Sequence, residues 1–499
     1  MHTPSVSQAV LLGGLLAVVF VPPARSRDLT LQEALDIGLS RTMRGEMIEG
    51  NLEVAQQLYS ARRINMYLPE ISINGSLPSF RKSLAYQPFR NPLDRQPFKT
   101  RNLDFSSFIE LKQTLVTGGT LTATADLTSE DNRYPDTRYD PVDEVFVDQL
   151  RKQGSFSFSL AQPLFRPSSV KNELHNREDD LKIAEVTRLE ETTALKKEIT
   201  EAYLGTLQLA LQAEIAGDKL KKASLQEHID SAKLSDGVLS EEGYLLTGSA
   251  RLDAELEGHS VENQLGEQRR ELATLLDFDA TDTLNLALPP VPTHIDEATR
   301  QRLIADWENA APIKKAEHQY AKAKREADYA AAGHGVTGDL AASYSFGKQR
   351  IETERAVDAD GARETTEEDV STNSWTVALQ VKVPLWDGGA GSAAVRAARY
   401  QAEQDRYEFT RAQRSARAKI INLINELDVS YQRLAIINKQ IGLAEERLAI
   451  AQGRFADGRI SELTLLESRT FLLETRDRYL EELKKYLLNR IDLESKYLS

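Results

Sequence analysis

The chain has 499 residues, 28% of them charged, a net charge of −14 and no cysteine. An acidic balance argues against nucleic acid as a partner, because phosphate binding needs clustered Lys and Arg. Without cysteine there can be no disulfides, thiol catalysis, thiolate metal sites or cysteine-borne lipid anchor.

An apolar run from Ala9 to Val21 is followed by Pro22-Pro23 and Ala24-Arg25-Ser26. Small residues at the first and third positions of that triplet suit signal-peptidase cleavage, so residues 1–26 are read as a signal peptide and the mature chain as starting near Arg27. The competing reading is a retained anchor, but a run of ~13 residues is too short to span a bilayer as a helix. No later segment is apolar enough for a transmembrane helix, so any membrane crossing must use β-strands.

Strand signals come next. Ile71 to Leu77 is one candidate, and Phe156, Phe158 and Leu160 alternate with Ser155, Ser157 and Ser159. Between them Ile109, Leu111, Gln113 and Leu115 lead into Val116-Thr117-Gly118-Gly119, and Leu121, Ala123, Ala125 and Leu127 follow. This is an added β-hairpin around a glycine turn, and alternation alone does not decide whether it joins the same sheet. In the second half, Leu340 to Phe346 pairs with a strand in which Trp375, Val377, Leu379, Val381 and Val383 alternate with polar or small residues. Period-two alternation gives each strand one apolar and one polar face, as in a membrane β-barrel or the edge of a soluble sandwich.

Two long windows contain no proline, Ser168 to Leu288 and Leu385 to Ser499, and such windows are where long helices can exist. In the second, Ile420, Leu427, Leu434, Ile441, Leu448 and Phe455 recur every seven residues, and Leu423, Ser430, Ile437, Ala444 and Ala451 lie three further on. These are the a and d positions of a coiled-coil seam. In the first, Ile199, Tyr203, Leu207, Leu211 and Ile215 are spaced by four.

Each long helix stops at Asp-Gly and restarts at once. Asp236-Gly237-Val238-Leu239-Ser240-Glu241 recurs as Asp457-Gly458-Arg459-Ile460-Ser461-Glu462, and Pro163-Leu164-Phe165 recurs as Pro384-Leu385-Trp386; both displacements (457 − 236 and 384 − 163) are 221 residues. The chain is a tandem duplication. Gly237 and Gly458 suit the left-handed position that ends a helix, and Ser240 and Ser461 suit the N-cap of the next. The simplest reading of each tip is a helix cap alone; its duplication in sequence favours a functional one.

The fold class expected is α+β, mainly α. Residues 27–290 form a first repeat, with strands over about 70–165 and a helical hairpin over about 168–277 turning at 236–241. Residues 291–499 form a second, with strands over about 338–385 and a hairpin over about 390–498 turning at 457–462. Four strands cannot close a barrel in lipid, whereas three copies supply twelve.

Leu29-Thr30-Leu31-Gln32-Glu33-Ala34-Leu35, Gln162-Pro163-Leu164-Phe165, Val383-Pro384-Leu385-Trp386-Asp387-Gly388-Gly389 and the two tips stand together in one order. In these residues the chain resembles the TolC-like outer-membrane efflux family. The resemblance implies a homotrimer in the outer membrane, with a shared β-barrel in lipid and an α-helical tunnel in the periplasm. It also implies docking to a periplasmic adaptor that couples to an inner-membrane pump, for efflux or type I secretion. Its adaptor contacts fall on Gly237, Val238, Leu239, Ser240, Gly458, Arg459, Ile460 and Ser461.

Glu467 falls where the family has a carboxylate ring at the periplasmic gate, and Thr464 departs from a second acidic position there. In the first half Gly243 stands at an acidic position, with Glu242 adjacent. A solvated outer face is the alternative for Glu467. No catalytic, cofactor or metal site is read: Gly389-x-Gly391-x-x-Ala394 opens a helix too long for a dinucleotide unit, Gly333-x-Gly335-x-x-Gly338 follows a helical pattern, and the histidines show no ligand spacing. The competing function is a periplasmic coiled-coil scaffold without a channel.

Overall fold

The computed structural model describes residues 26–88, 95–139, 145–279, 283–356 and 362–497. Residues 1–25, nearly all of the segment read as a signal peptide, lie outside that set. The described elements run β1 (Ser26–Leu29), α1 (Leu31–Ser40), α2 (Met43–Tyr67), β2 (Glu70–Gly75), β3 (Ser79–Pro88), β4 (Arg95–Thr114), β5 (Thr120–Pro135), β6 (Phe146–Leu164), α3 (Ser169–Ser235) and α4 (Glu241–Leu275). They continue with β7 (Thr283–Leu286), α5 (Glu297–Ala305), α6 (Ala311–Gly333), β8 (Thr337–Ala356), β9 (Arg363–Lys382), α7 (Ala390–Ala456) and α8 (Glu462–Tyr497).

The chain divides into two compact units, and α3 and α7 contribute to both. The first unit takes described residues from Met1–Glu46, Thr192–Asp296 and Leu423–Asp492, which include both helical tips. Helix α1 starts with a complete capping box: Glu33 N donates to Thr30 Oγ1, and the Glu33 carboxylate accepts from Thr30 N. It lies so close to α3 that a Cβ on Gly38 would stand 2.2 Å from Ile199 Cδ1. Strands β1 and β7 pair in parallel, joining the start of the first repeat to the linker that follows its helical hairpin. The buried Tyr203 hydroxyl lies 2.7 Å from both Leu29 O and Ala287 O, so α3 secures this ribbon, and burial pushes its pKa up to about 12. Further along the linker, Tyr486 of α8 donates to Thr293 O at 2.7 Å.

Packing follows the heptads. Ile420, Leu427 and Leu434 are at most 2% exposed, and the small d residues Ser430, Ala444 and Ala451 are buried, which lets a neighbouring helix approach closely. Each fully buried Ile or Leu contributes about 1.5–3 kcal/mol, so this face, and not the low intrinsic helicity of an exposed chain, stabilises α7.

The second unit takes described residues from Met47–Glu191, Glu297–Asn422 and Leu493–Ser499. Its helical part packs Ala310, Ile313 and Ala416 against Trp307, Phe409 and Ala412. Polar pairs join α6 to α3, with buried Asp179 accepting from Arg325 and bonded to His318, and Lys322 2.6 Å from Asp180.

Its sheet has seven strands in the order β2-β4-β5-β6-β8-β9, with β3 also paired to β4. Strands β2 and β3 occupy one lateral position. Gly75 faces Ser107 and Ser79 faces Asp104, so three residues ending in Pro78 oppose two on β4. This is a β-bulge at an edge, where proline's missing donor is tolerated. The sheet therefore has six lateral positions, four from the first repeat, where the sequence pattern suggested four in all with an unplaced hairpin. That hairpin is β4–β5, turning at Gly118 (φ +90°).

Candidate functional site

Registered pairing gives the sheet two chemically distinct faces. Across β4, β5, β6, β8 and β9, one polar row runs Lys112, Thr122, Ser159, Ser343, Thr376, and the next runs Glu110, Thr124, Ser157, Ser345, Ser374. The opposite face carries the apolar residues, with Phe156 and Phe158 packed edge to face at 4.6 Å between ring centroids. Side chains directly opposite in a ladder share a face, so each row belongs wholly to one side.

Strands β8 and β9 have 20 residues each, about twice what a tilted strand needs to cross a bilayer. Beyond Phe346 and Trp375 the surplus turns charged and is laced by the cross-strand pairs Arg350–Asp369 at 3.0 Å and Arg363–Glu354 at 3.2 Å, with Arg151–Glu130 at 3.4 Å joining neighbouring β6 and β5. An apolar band of limited height with a charged extension is the profile of a wall that enters lipid and continues into water. Among the described residues, the outer edges of β2/β3 and of β9 have no strand partner.

The tips share one backbone design. Val238 N donates to Lys233 O at 2.8 Å and Gly237 N to Leu234 O at 3.1 Å; in the second repeat Arg459 N donates to Arg454 O at 2.8 Å and Gly458 N to Phe455 O at 2.9 Å. Each set is a Schellman motif, with Gly237 at φ +70° and Gly458 at φ +69° in the left-handed region. Ser240 caps α4 by accepting from Gly243 N at 3.1 Å, and Ser461 accepts from Thr464 N at 3.4 Å. Val238 is 76% exposed, Arg459 is exposed, and Leu239 and Ile460 are half-buried, so each tip presents one bulky exposed side chain beside an anchored apolar one. Glu242 is exposed in the first turn of α4, and Thr464 Oγ1 lies 3.1 Å from Ser461 Oγ.

Glu467 is exposed but paired. Its Oε1 lies 2.9 Å from Lys222 Nζ, on a line of contacts between α3 and α8. Lys197 meets Asp492 at 2.7 Å, Gln212 meets Asp477 at 3.3 Å, and Arg469 Nε meets the buried Asp218 at 3.2 Å. As the α3 number rises the α8 number falls in step, as antiparallel neighbours require. No sequence signal marks such pairs, whose partners lie more than 240 positions apart.

The two hairpins differ inside. Buried Asp230 accepts from Lys233 Nζ at 2.8 Å, Gln226 Nε2 at 2.9 Å and Thr247 Oγ1 at 3.0 Å, joining α3 to α4. Those donors, Lys233 foremost, hold its carboxyl below the usual aspartate range. At the equivalent places 221 residues on stand Ala451 and Ser468, both buried. A second α7 stripe also emerges. Val429, Ile436, Leu443 and Ile450 repeat every seven residues yet are 46%, 57%, 67% and 51% exposed. It uses the same period as the buried seam and was legible in the sequence as a second apolar face.

The Gly389-x-Gly391 segment is a helix start: Asp387 accepts from Gly389 N at 2.8 Å and Gly391 N at 2.7 Å, and α7 then continues for 67 residues. No described helix is long and apolar enough to cross a membrane, and no group of three or more His, Cys, Asp or Glu among the described residues could hold a metal ion.

Residues 307–495 match the family of outer membrane efflux proteins. The fold resembles the outer membrane channel CmeC of Campylobacter jejuni (12% identity, TM-score 0.56, covering 94% of this chain and 85% of that one). It also resembles the outer membrane protein VceC of Vibrio cholerae (13% identity, TM-score 0.53, 93% and 94% covered). A third likeness is to the open state of the outer membrane channel MtrE of Neisseria gonorrhoeae (15% identity, TM-score 0.51, 94% and 88% covered). None of the curated proteins compared matches the chain.

Proposed function

We propose that this chain, a TolC-like member of the outer membrane efflux protein family, works as the exit duct of a tripartite efflux or secretion assembly. Three copies form one passive conduit, closed at the helical tips, with an adaptor bound there and an inner-membrane pump supplying the work. The observation that carries this reading is the sheet, with one apolar face, one Ser/Thr-rich face and two unpaired edges. Backbone groups at an open edge cannot face hydrocarbon unsatisfied, so the sheet enters lipid only once copies pair edge to edge. The exposed α7 stripe supports the same step, since a periodic apolar face of that length calls for another helix. A periplasmic scaffold would need the stripe but not the two-faced sheet.

Gating is assigned to the α3–α8 polar line around Lys222 and Glu467, and adaptor docking to Gly237–Ser240 and Gly458–Ser461. Such contacts exchange readily with water, which suits a closure that must open without unfolding the apolar seams. Planar-bilayer recording of purified protein tests the proposal: discrete pores from a detergent-stable trimer are expected, and a soluble monomer without pore activity would overturn it.

A further inference from the structure

The added hairpin β4–β5 sits in the middle of the sheet, between β2/β3 and β6, with ladders on both sides: β4 pairs β2 from Ser107 to Lys112 and β3 from Arg95 to Asp104, and β5 pairs β6 from Thr120 to Pro135. Its turn is fixed at the end nearest the start of α3, where Ser168 Oγ donates to Val116 O at 2.8 Å and Thr117 Oγ1 to Gln162 Oε1 at 2.6 Å. One apolar row crosses the whole sheet through it: Ile71, Leu111, Ala123, Phe158, Tyr344, Trp375. A plug or a surface flap would break that row, or put its apolar side chains in water.

We infer that the hairpin is part of the membrane wall, so that each copy contributes six strand positions and three copies close an eighteen-stranded barrel. The occupant of each free edge is a second copy of this chain. Edge β9 has 20 residues, and the opposite edge has six in β2 and ten in β3 around the three-residue bulge, so the lengths match. An even number of antiparallel positions also sets β9 of one copy antiparallel to β2/β3 of the next, so the alternation closes without a parallel seam. Barrel diameter grows roughly linearly with strand number, which makes the lumen about 1.5 times as wide as that of twelve strands. The stretch in lipid is then no constriction, and solute selection is left to the helical part.

This inference rests on the trimeric channel proposed above, and one experiment separates the two. The chain has no cysteine, so single cysteines can be placed without background and treated with a membrane-impermeant charged thiol reagent in proteoliposomes. Control positions lie on β9, where Thr376→Cys is expected to react and Val377→Cys to be protected. Test positions lie on β4, where Glu110→Cys and Lys112→Cys are expected to react, with modification lost at Ile109→Cys and Leu111→Cys. Alternation on β9 but equal modification at all four β4 positions overturns the wall inference alone, whereas no alternation on β9 overturns the channel reading. The detergent-solubilised oligomer is expected to weigh three chains; a dimer, closing only twelve strands, sinks the eighteen-strand count.

Discussion

Lys222 Nζ on α3 and Glu467 Oε1 on α8 lie 2.9 Å apart, one from each repeat, with 44% and 47% of their side chains exposed. An ion pair that wet contributes under about 1 kcal/mol to stability. It can still bias two arrangements of a helix pair that differ by little more. Glu467→Lys is expected to leave the melting temperature within a few degrees of the parent, raise open probability in bilayers and increase leakage of a small dye. Lys222→Glu combined with Glu467→Lys should restore the parent behaviour, and an uncorrected double variant would mean that the pair does not hold the closure.

Both tip glycines require backbone that other residues adopt only with strain. Gly458→Val, at φ +69°, should cost about 1–2 kcal/mol, and Gly458→Asn much less, because asparagine tolerates the left-handed region. Gly458→Pro cannot take that φ at all. Export measured in cells should fall in the order Asn, Val, Pro, and unchanged export with proline would remove the tip from the mechanism.

Asp230 gives the first hairpin a titratable joint at a place where the second carries Ala451. Its folded pKa is depressed, so its contribution is fully present above the ordinary aspartate value and is lost as pH falls through the lower folded one. The stability gap between the parent and Asp230→Asn should be constant at neutral pH and shrink below about pH 4. Chemical denaturation at a series of pH values reads this gap directly, and a gap unchanged down to pH 2 contradicts the assignment.

Tyr203→Phe removes the hydroxyl beside Leu29 O and Ala287 O and should cost about 1–3 kcal/mol. The folded pKa is raised, so the stabilisation is intact below the unfolded value near 10 and fades as pH rises toward about 12. Thermal melts of parent and variant should therefore converge only in strong alkali.

The exposed α7 stripe predicts an assembly defect without a folding defect. Ile436→Asp with Leu443→Asp should abolish the trimer in analytical ultracentrifugation while far-ultraviolet circular dichroism keeps its helical signal. A stable trimer from this variant would place the helix contact elsewhere.

The helices were readable in the sequence because their signals are local and periodic: proline-free windows, the seam of Ile420, Leu427 and Leu434, and the repeated Asp-Gly-x-x-Ser-Glu. The strands were readable only in part. Where side chains alternate between lipid and water, as from Trp375 to Val383, period two is visible; beyond Arg350 and Asp369 both faces are wet, the alternation disappears, and half of each strand looks like loop. The lateral position of β4–β5 depends on pairing with β6, which no local pattern encodes. The α3–α8 contacts were invisible for the same reason, since Lys222 and Glu467 are each ordinary on an exposed helix face.

The parallel ribbon of β1 and β7 also orders events in time. Ser26 pairs with Thr283, so during synthesis the opening strand has no partner until more than 250 further residues have been made. Pairings that distant form slowly. The first hairpin can coil while it waits, but the ribbon that Tyr203 secures cannot form before the linker arrives. That joint acts as a late checkpoint, and a chain interrupted before β7 leaves its own beginning unfastened.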